Sequence, residues 1–340
     1  MRGLPLQRRH FLAGLGLAAC TRQNGASAPR RPRAAVELYS VYDLPATDAR
    51  SRELSGIAWD GATRSLWAVQ DESALIVRLA PNADFTRWDF AEMVHVTCGG
   101  PVDLEGLVMT KDGFIVASEE GPRVIEISRT GQFVREIVLP ERFRDARHNQ
   151  SLESLTLTPS GRWLFTTTEV ALPRDGSVAT LEAGTRVRIV RIDRETGEID
   201  EYAYATDPAP YATGDWGVSD LAAVGENELL VLERGWTRYR GNTARIHRVT
   251  LDASTSCAAI DALSAATPAL TKRLFVDLGQ LTFRGLPAPK QPQSSPLMDN
   301  YEGLAIGPRL EDGRGSVIVV SDDNAHDNQV ARILVLAVRT

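Results

Sequence analysis

The chain has 340 residues, 43% of them hydrophobic, with a formal net charge of −6. That length and balance describe an ordinary soluble composition able to bury a large core, and nothing in the composition points to a nucleic-acid partner. Among the three cysteines, Cys98 and Cys257 show no metal or redox spacing, and whether they pair or stay separate buried thiols is open.

Residues 1–20 read as an export signal. Arg8 and Arg9 precede an apolar run over 11–19, far shorter than the roughly 20 residues of a membrane span. The run ends at Leu17-Ala18-Ala19-Cys20, a lipobox with Cys20 as the residue to be lipidated. The paired arginines followed by Phe11-Leu12 resemble the twin-arginine export motif, although the usual flanking Ser/Thr and Lys are absent. Thr21, in place of Asp, favours the outer membrane, so the expected location is the periplasmic face of the envelope, anchored through lipid on Cys20. Residues 21–35, rich in Gly, Ala, Ser, Pro and Arg, read as a flexible tether, and 36–340 as one folded domain.

One pattern then recurs along the domain. An acidic residue enters a small apolar strand at Glu53, Asp103-Leu104-Glu105, Glu153, Asp220 and Glu302, and a turn follows. A second apolar strand returns and ends in acid at Asp71-Glu72, Glu119-Glu120, Glu169, Glu233 and Asp322-Asp323. A third strand with alternating character follows, as at Arg186-Val187-Arg188-Ile189-Val190-Arg191-Ile192, and weaker fourth strands fall at 133–139, 198–205 and 274–278. Four strands per repeat predict propeller blades. The last repeat runs out after its third strand, while an unassigned strand, 36–42, precedes the first. The fold expected is therefore all-β, a five-bladed β-propeller whose ring is closed by the N-terminal strand, which removes exposed sheet edges. A degenerate sixth blade within 255–296 is the alternative to a long loop that starts from a poor helix.

Antiparallel return places the start of each inner strand beside the end of the second. Ten carboxylates, those of Glu53, Asp71, Glu105, Glu119, Glu153, Glu169, Asp220, Glu233, Glu302 and Asp322, should thus share one mouth of the channel. Like charges 4 Å apart cost on the order of 4 kcal/mol at an effective dielectric near 20, so something must offset them. Raised pKa values, pairing with Arg234, Arg123 or Arg147, or bound cations could do so. Oxygen-only donors select a hard cation, and Ca²⁺ accepts irregular sets of carboxylates. The metal candidates are Glu53, Asp71, Glu105, Glu119, Glu153, Asp220, Glu233, Glu302, Asp322 and Asp323. Asp322-Asp323-Asn324 and Asp71-Glu72 are stronger than the lone Glu169, and each acid has as its alternative a structural role accepting hydrogen bonds from the next blade. His148, in the loop before the third inner strand, is a candidate for acid/base chemistry or phosphate contact, against an ordinary surface histidine. Trp216 and Trp236, beside glycines, are candidate pocket linings. No Gly-x-Ser-x-Gly elbow and no phosphate-cradling Gly-rich loop occurs.

Asp103-Leu104-Glu105-Gly106-Leu107, the run from Asn149 through Glu153 to Pro159-Ser160-Gly161, and Asp299-Asn300-Tyr301-Glu302-Gly303-Leu304 with Ser321-Asp322-Asp323-Asn324 resemble the phytase-like domain family, described as having esterase-like activity of phytase. The third unit has Ser154 where glycine is usual, and the fourth has Asp220. The resemblance implies an exported propeller that hydrolyses phosphoesters. On that basis a calcium-dependent phosphoester hydrolase is expected, with Arg234 and His148 balancing the charge of a phosphoester or other ester substrate, in a monomer. The alternative is a non-catalytic envelope propeller whose acidic mouth binds a cationic or metal-bridged ligand or a protein partner.

Overall fold

A computed structural model describes residues 35–71, 73–100 and 102–339. The export signal, Cys20, almost all of the tether and Glu72 lie outside the described residues. The domain is built from five four-stranded antiparallel sheets. Blade 1 comprises β1's successors β2 (Leu54–Asp60), β3 (Ser65–Gln70), β4 (Leu75–Pro81) and β5 (Trp88–His95), where β1 is Val36–Asp43. Blade 2 holds β6 (Leu104–Met109), β7 (Gly113–Ser118), β8 (Arg123–Ser128) and β9 (Phe133–Ile137). Blade 3 holds β10 (Thr156–Leu157), β11 (Trp163–Thr166), β12 (Arg186–Asp193) and β13 (Ile199–Ala205). Blade 4 holds β14 (Gly217–Gly225), β15 (Glu228–Thr237), β16 (Gly241–Thr250) and β17 (Lys272–Asp277). Blade 5 holds β18 (Asn300–Gly307), β19 (Gly315–Asp322) and β20 (Arg332–Val338), with β1 as its outer strand.

Ring closure is as the sequence predicts: β1 pairs antiparallel with β20 from Val36↔Val338 to Asp43↔Arg332. The seam also carries an ion pair, because the buried Arg332 guanidinium donates to both Asp43 carboxylate oxygens, at 2.5 and 3.0 Å. Residues 255–296 form no sixth blade. They contribute β17, and the only helical pieces there are two 3₁₀ turns, Ala253–Thr255 at the start and Leu278–Gln280 after β17. Cys257 and Leu263 from this segment pack on Ala203 of blade 3, far in the chain from the cluster that holds Cys98, and neither cysteine is in a disulfide.

Period-two alternation divides each second strand between two cores. In β7, Phe114 and Val116 face blade 1 while Ile115 and Ala117 face blade 3. In β3, Leu66 and Ala68 pack toward blade 5, and Trp67 and Val69 toward blade 2. β19 repeats this with Val317 and Val319 toward blade 4, and Ile318 and Val320 toward blade 1. One apolar cluster thereby fills each gap between neighbouring blades, and each fully buried aliphatic side chain contributes about 1.5–3 kcal/mol.

Around the axis, β2, β6, β10, β14 and β18 contact one another in a ring. Their approach is close enough that a side chain has no room at certain positions. A Cβ on Gly56 would lie 2.3 Å from the carbonyl oxygen of Glu105, one on Gly106 would lie 2.7 Å from the Leu155 nitrogen, and one on Gly303 would lie 2.7 Å from the Ser55 oxygen. These neighbours are backbone, so they cannot swing away. Gly106→Ala is expected to destabilise the fold by about 1–3 kcal/mol, whereas Gly61→Ala, with nothing within 4 Å of the added carbon, should be near neutral. Equal urea midpoints for the two variants would contradict this account of the ring.

The inner strand expected to begin at Glu153 is short in the third unit, where β10 spans only two residues. Side-chain hydroxyls replace the ladder there: the Thr167 N–H donates to Ser154 Oγ at 3.2 Å, and the Thr166 hydroxyl donates to the Ser154 carbonyl at 2.8 Å. In the fourth unit Asp220, at the position of Gly106 and Gly303, joins blades through its side chain. Its buried carboxylate accepts the Leu304 N–H of blade 5 at 2.6 Å and the Leu221 N–H at 2.7 Å.

Candidate functional site

At the end of the channel where inner strands begin and second strands finish lies a cavity of about 470 Å³. Asp71, Glu105, Glu119, Glu153, Glu169, Glu302 and Asp322 line it, which is seven of the ten acids expected at this mouth. Asp103 and Asp215 line it as well. His148, with Asn149 and Gln150, stands at its exposed edge, and Asn324 completes the lining. Asn149 and Asn324 have left-handed backbones, φ 53° and 45°, which asparagine tolerates better than most residues.

Three expected members are elsewhere. Asp220 is the interblade link described above. Glu233 is fully buried between blades 3 and 4, where the Tyr204 hydroxyl donates to it at 2.5 Å, Lys272 Nζ at 2.6 Å and the Asp207 N–H at 2.9 Å. Asp207, Glu233 and His247 do bring ligand atoms within 4.8 Å of one another. Lys272 Nζ, 2.8 Å from Asp207 and 2.6 Å from Glu233, already supplies the compensating charge there. Glu53 does not line the cavity either. Asp323, a metal candidate in the sequence, pairs with Arg52 at 2.6 Å and accepts the Glu53 and Ala325 N–H groups, so it fastens the blade 5 loop to the entrance of blade 1. The sequence leaves ligand and interblade roles open for every acid, and the ladders separate them by an offset of one: Glu233 matches Ser118 and Ser321, one residue before Glu119 and Asp322, and Asp220 matches Gly106 and Gly303, one residue after Glu105 and Glu302.

Within the cavity, Arg234 is the counter-charge. Its Nη2 donates to Glu302 Oε1 at 2.7 Å, Nη1 lies 3.7 Å from Glu169, and its buried Nε has no partner. Burial opposes the guanidinium charge, but Glu302, Glu169, Glu153 and Glu105 outweigh it and hold the group protonated. Arg147 turns away, donating to the carbonyls of Ala171 and Gly176. One arginine cannot balance nine acids. Burial, then the hydrogen bond and charge of Asp103, push Asp71 up to about 10. Burial raises Glu105 and Glu153 well above the usual carboxylate range, reinforced by Asp71 and Glu302 around Glu105 and by Glu105 and Glu169 around Glu153. Asp322 is raised by burial and by Glu302. Glu169 settles at about 7, lifted by burial and held down by Arg234.

Two acids are partly engaged by neighbouring strands: the Ser55 hydroxyl donates to Glu105 at 2.5 Å, and the Ser151 N–H donates to Glu119 at 2.6 Å. Asp71, Asp103 and Glu105 remain a set whose oxygens all lie within 4.8 Å of one another, and Asp103 Oδ1 is buried without a hydrogen-bond partner. Three hard oxygen donors, one of them unpartnered and all needing a positive neighbour, fit a divalent cation that accepts carboxylates. Asp103 stands in the strand-start motif two residues before Glu105, and that spacing, which puts two side chains on one side of an extended chain, is the sequence signal for it. Asp215 lies in the loop before β14 and had no repeat to mark it.

Trp216 and Trp236 separate. Trp216 is buried beneath the Arg245 guanidinium, 5.6 Å from its ring centre, whereas Trp236 lines an adjoining lobe.

A family model described as esterase-like activity of phytase matches residues 50–325. The chain belongs to the phytase-like family. The match runs from the entrance of blade 1 to the loop after β19, so every acid lining the cavity falls within the phytase-like region. Among curated proteins nothing matches. Among solved structures, a luciferin-regenerating enzyme is 13% identical, over 88% of this chain and 97% of that one, with a TM-score of 0.46. A protein from Lactobacillus plantarum is 16% identical over 79% of this chain and 64% of that one, with a TM-score of 0.38. The tail fibre of Staphylococcus aureus phage P68 is 11% identical over 89% of this chain and 52% of that one, with a TM-score of 0.49.

Proposed function

We propose that this phytase-like propeller is a calcium-dependent phosphoester hydrolase acting at the acidic mouth. The observation that carries the reading is the convergence of nine carboxylates, one charged arginine and a histidine on a single cavity within the region matched by the family model. Asp71, Asp103 and Glu105 would hold the cation, with Glu153, Glu302 and Asp322 close by. A bound cation of this kind polarises a phosphoryl oxygen and helps generate a nucleophilic water. Without positive charge beyond Arg234, the cavity would repel a phosphate ester.

The chain's own residues divide the remaining work. Arg234, fixed by Glu302 and Glu169, offers its unpartnered Nε to a phosphoryl oxygen, and His148 at the open edge balances the second negative charge. Glu169, at about 7, can accept a proton from the attacking water near neutrality. The rate should therefore rise with pH along a limb centred near 7, and Glu169→Gln should remove that limb. A flat profile in the parent protein would exclude Glu169 as the base.

Protein lacking residues 1–20 and given a chromogenic phosphate monoester should turn it over with calcium and lose that activity in chelator. No turnover in either condition, together with a chelator-sensitive melting temperature, would favour the non-catalytic reading in which the mouth binds a cation-bridged ligand. We also infer from the lipobox, the paired arginines and Thr21 that the chain is exported and held at the outer membrane through lipid on Cys20. Among the described residues no helix is long and apolar enough to cross a membrane.

A further inference from the structure

A second lobe of about 480 Å³ opens beside the acidic mouth and shares Asp215, Arg234 and Asn324 with it. Its chemistry is different. Carboxamides replace carboxylates, in the side chains of Asn242, Gln291, Asn300, Asn324, Asn328 and Gln329, and Trp236 forms a half-exposed wall. Trp236 and Asn242 are directly opposed in the β15–β16 ladder, so their side chains leave the same face of the sheet.

Asn242 is only 2% exposed, yet neither its amide oxygen nor its amide nitrogen has a hydrogen-bond partner. Gln291 Nε2, in the same lobe, is also buried without one. Leaving such a group unsatisfied costs about 1–3 kcal/mol. The backbone nevertheless holds Asn242 firmly in place. Its N–H donates to Gln293 Oε1 at 2.7 Å, and the preceding Gly241, at φ +72°, packs against the Pro292 carbonyl, where a Cβ would lie 2.0 Å away. A rigidly placed, desolvated and unpartnered carboxamide beside an aromatic face is arranged for a ligand.

We propose that this lobe binds a neutral polyhydroxylated ring, a glycosyl unit. A carboxamide presents an acceptor and two donors side by side, which matches a vicinal pair of hydroxyls. The indole of Trp236 offers an apolar face to the C–H face of such a ring. The carboxamide and indole lining, with Asp215 adding negative charge, favours a neutral ligand over an anion in this lobe. A nucleobase would also suit one asparagine and one indole, but the array of further amides matches many hydroxyls better than one base edge. The site stands independently of the chemistry proposed for the acidic mouth.

The test uses the chain lacking residues 1–20 with methyl glycosides of glucose, galactose and mannose, and with adenosine, read by tryptophan fluorescence and ligand-observed NMR. At least one glycoside should bind equally in calcium and in chelator, which separates this site from the metal reading. Trp236→Ala and Asn242→Ala should each weaken that binding by roughly tenfold or more. Trp236→Ala should melt like the parent, since Trp236 is at the surface, and Asn242→Ala should melt no lower than the parent, since its buried amide makes no hydrogen bond within the protein. No binding by any of the glycosides, binding that survives both substitutions, or capture of adenosine alone would each overturn the proposal.

Discussion

Arg234→Met should lower stability by about 3–5 kcal/mol, the usual consequence of removing one partner from a buried ion pair. Methionine preserves most of the apolar stem and fills the space, so the loss reports the charge. Glu302 and Glu169 would then face the remaining acids with no cation between them. Because Arg234 holds down the pKa values of Glu119, Glu153, Glu169, Glu302 and Asp322, its removal pushes all five higher. A carboxyl whose folded pKa exceeds its unfolded value retains a proton that the unfolded chain has released, so stability falls as pH rises between those two values. The deficit should accordingly be small near pH 4 and large at pH 8, and added calcium should restore part of it. Turnover should fall by at least about a hundredfold, as when one preorganised donor to a transition-state oxygen is removed. Melting curves at the two pH values in chelator are the measurement. A variant as stable as the parent at pH 8 would mean that the mouth is neutralised by proton uptake alone.

Asp71→Asn should have opposite effects with and without metal. In chelator at pH 8 the variant should melt above the parent, because Asp71, pushed up to about 10 by burial and by Asp103, penalises the folded state over the whole interval from its unfolded value upward. With calcium the ordering should reverse. Saturation to about a hundred times the dissociation constant stabilises a protein by about 2.7 kcal/mol, which for a chain of this size is on the order of 5 °C. The parent should show that gain and the variant should lose most of it, along with the calcium-dependent turnover. The gain should also grow from pH 5 to pH 8, since the ligands must be deprotonated to bind. If calcium raised the two melting temperatures equally, Asp71, Asp103 and Glu105 would not be the site.

Much of the propeller was legible before any coordinates. The uninterrupted apolar runs Leu66-Trp67-Ala68-Val69 and Phe114-Ile115-Val116-Ala117 state that both faces of the second strand are buried, and the structure assigns those faces to neighbouring blades. The surplus strand at 36–42 and the missing fourth strand after Arg332–Val338 fit each other as predicted. The fourth strand of blade 1, Trp88–His95, was not recognised, because its edge position exposes most of its side chains and weakens the apolar signal. The site was legible only in part. Repetition marked Glu105, Glu153 and Glu302 as equivalent to Asp220, yet Asp220 caps backbone N–H groups while the others line the cavity. In the ladder Asp220 takes the place of Gly106 and Gly303, one residue past the position of Glu105 and Glu302, and that offset of one sends its carboxylate elsewhere.

What the chain order alone determined is the four-strand repeat, the closure of the ring and the gathering of acids toward one mouth, since these follow from strand period and antiparallel return; that the ring holds five blades and not six came from the structure. Only the tertiary structure decided which acids share a cavity, that Arg234 sits among them, and that Asn242, Gln291 and Asn328 meet around Trp236. Periodicity along a strand is a local property written residue by residue, whereas side-chain direction across the gap between blades depends on how far each sheet is turned against its neighbour. Loops from residues 290 to 293 and 323 to 330 meet because β18 begins beside the end of β19, and no pattern within either loop announces the other.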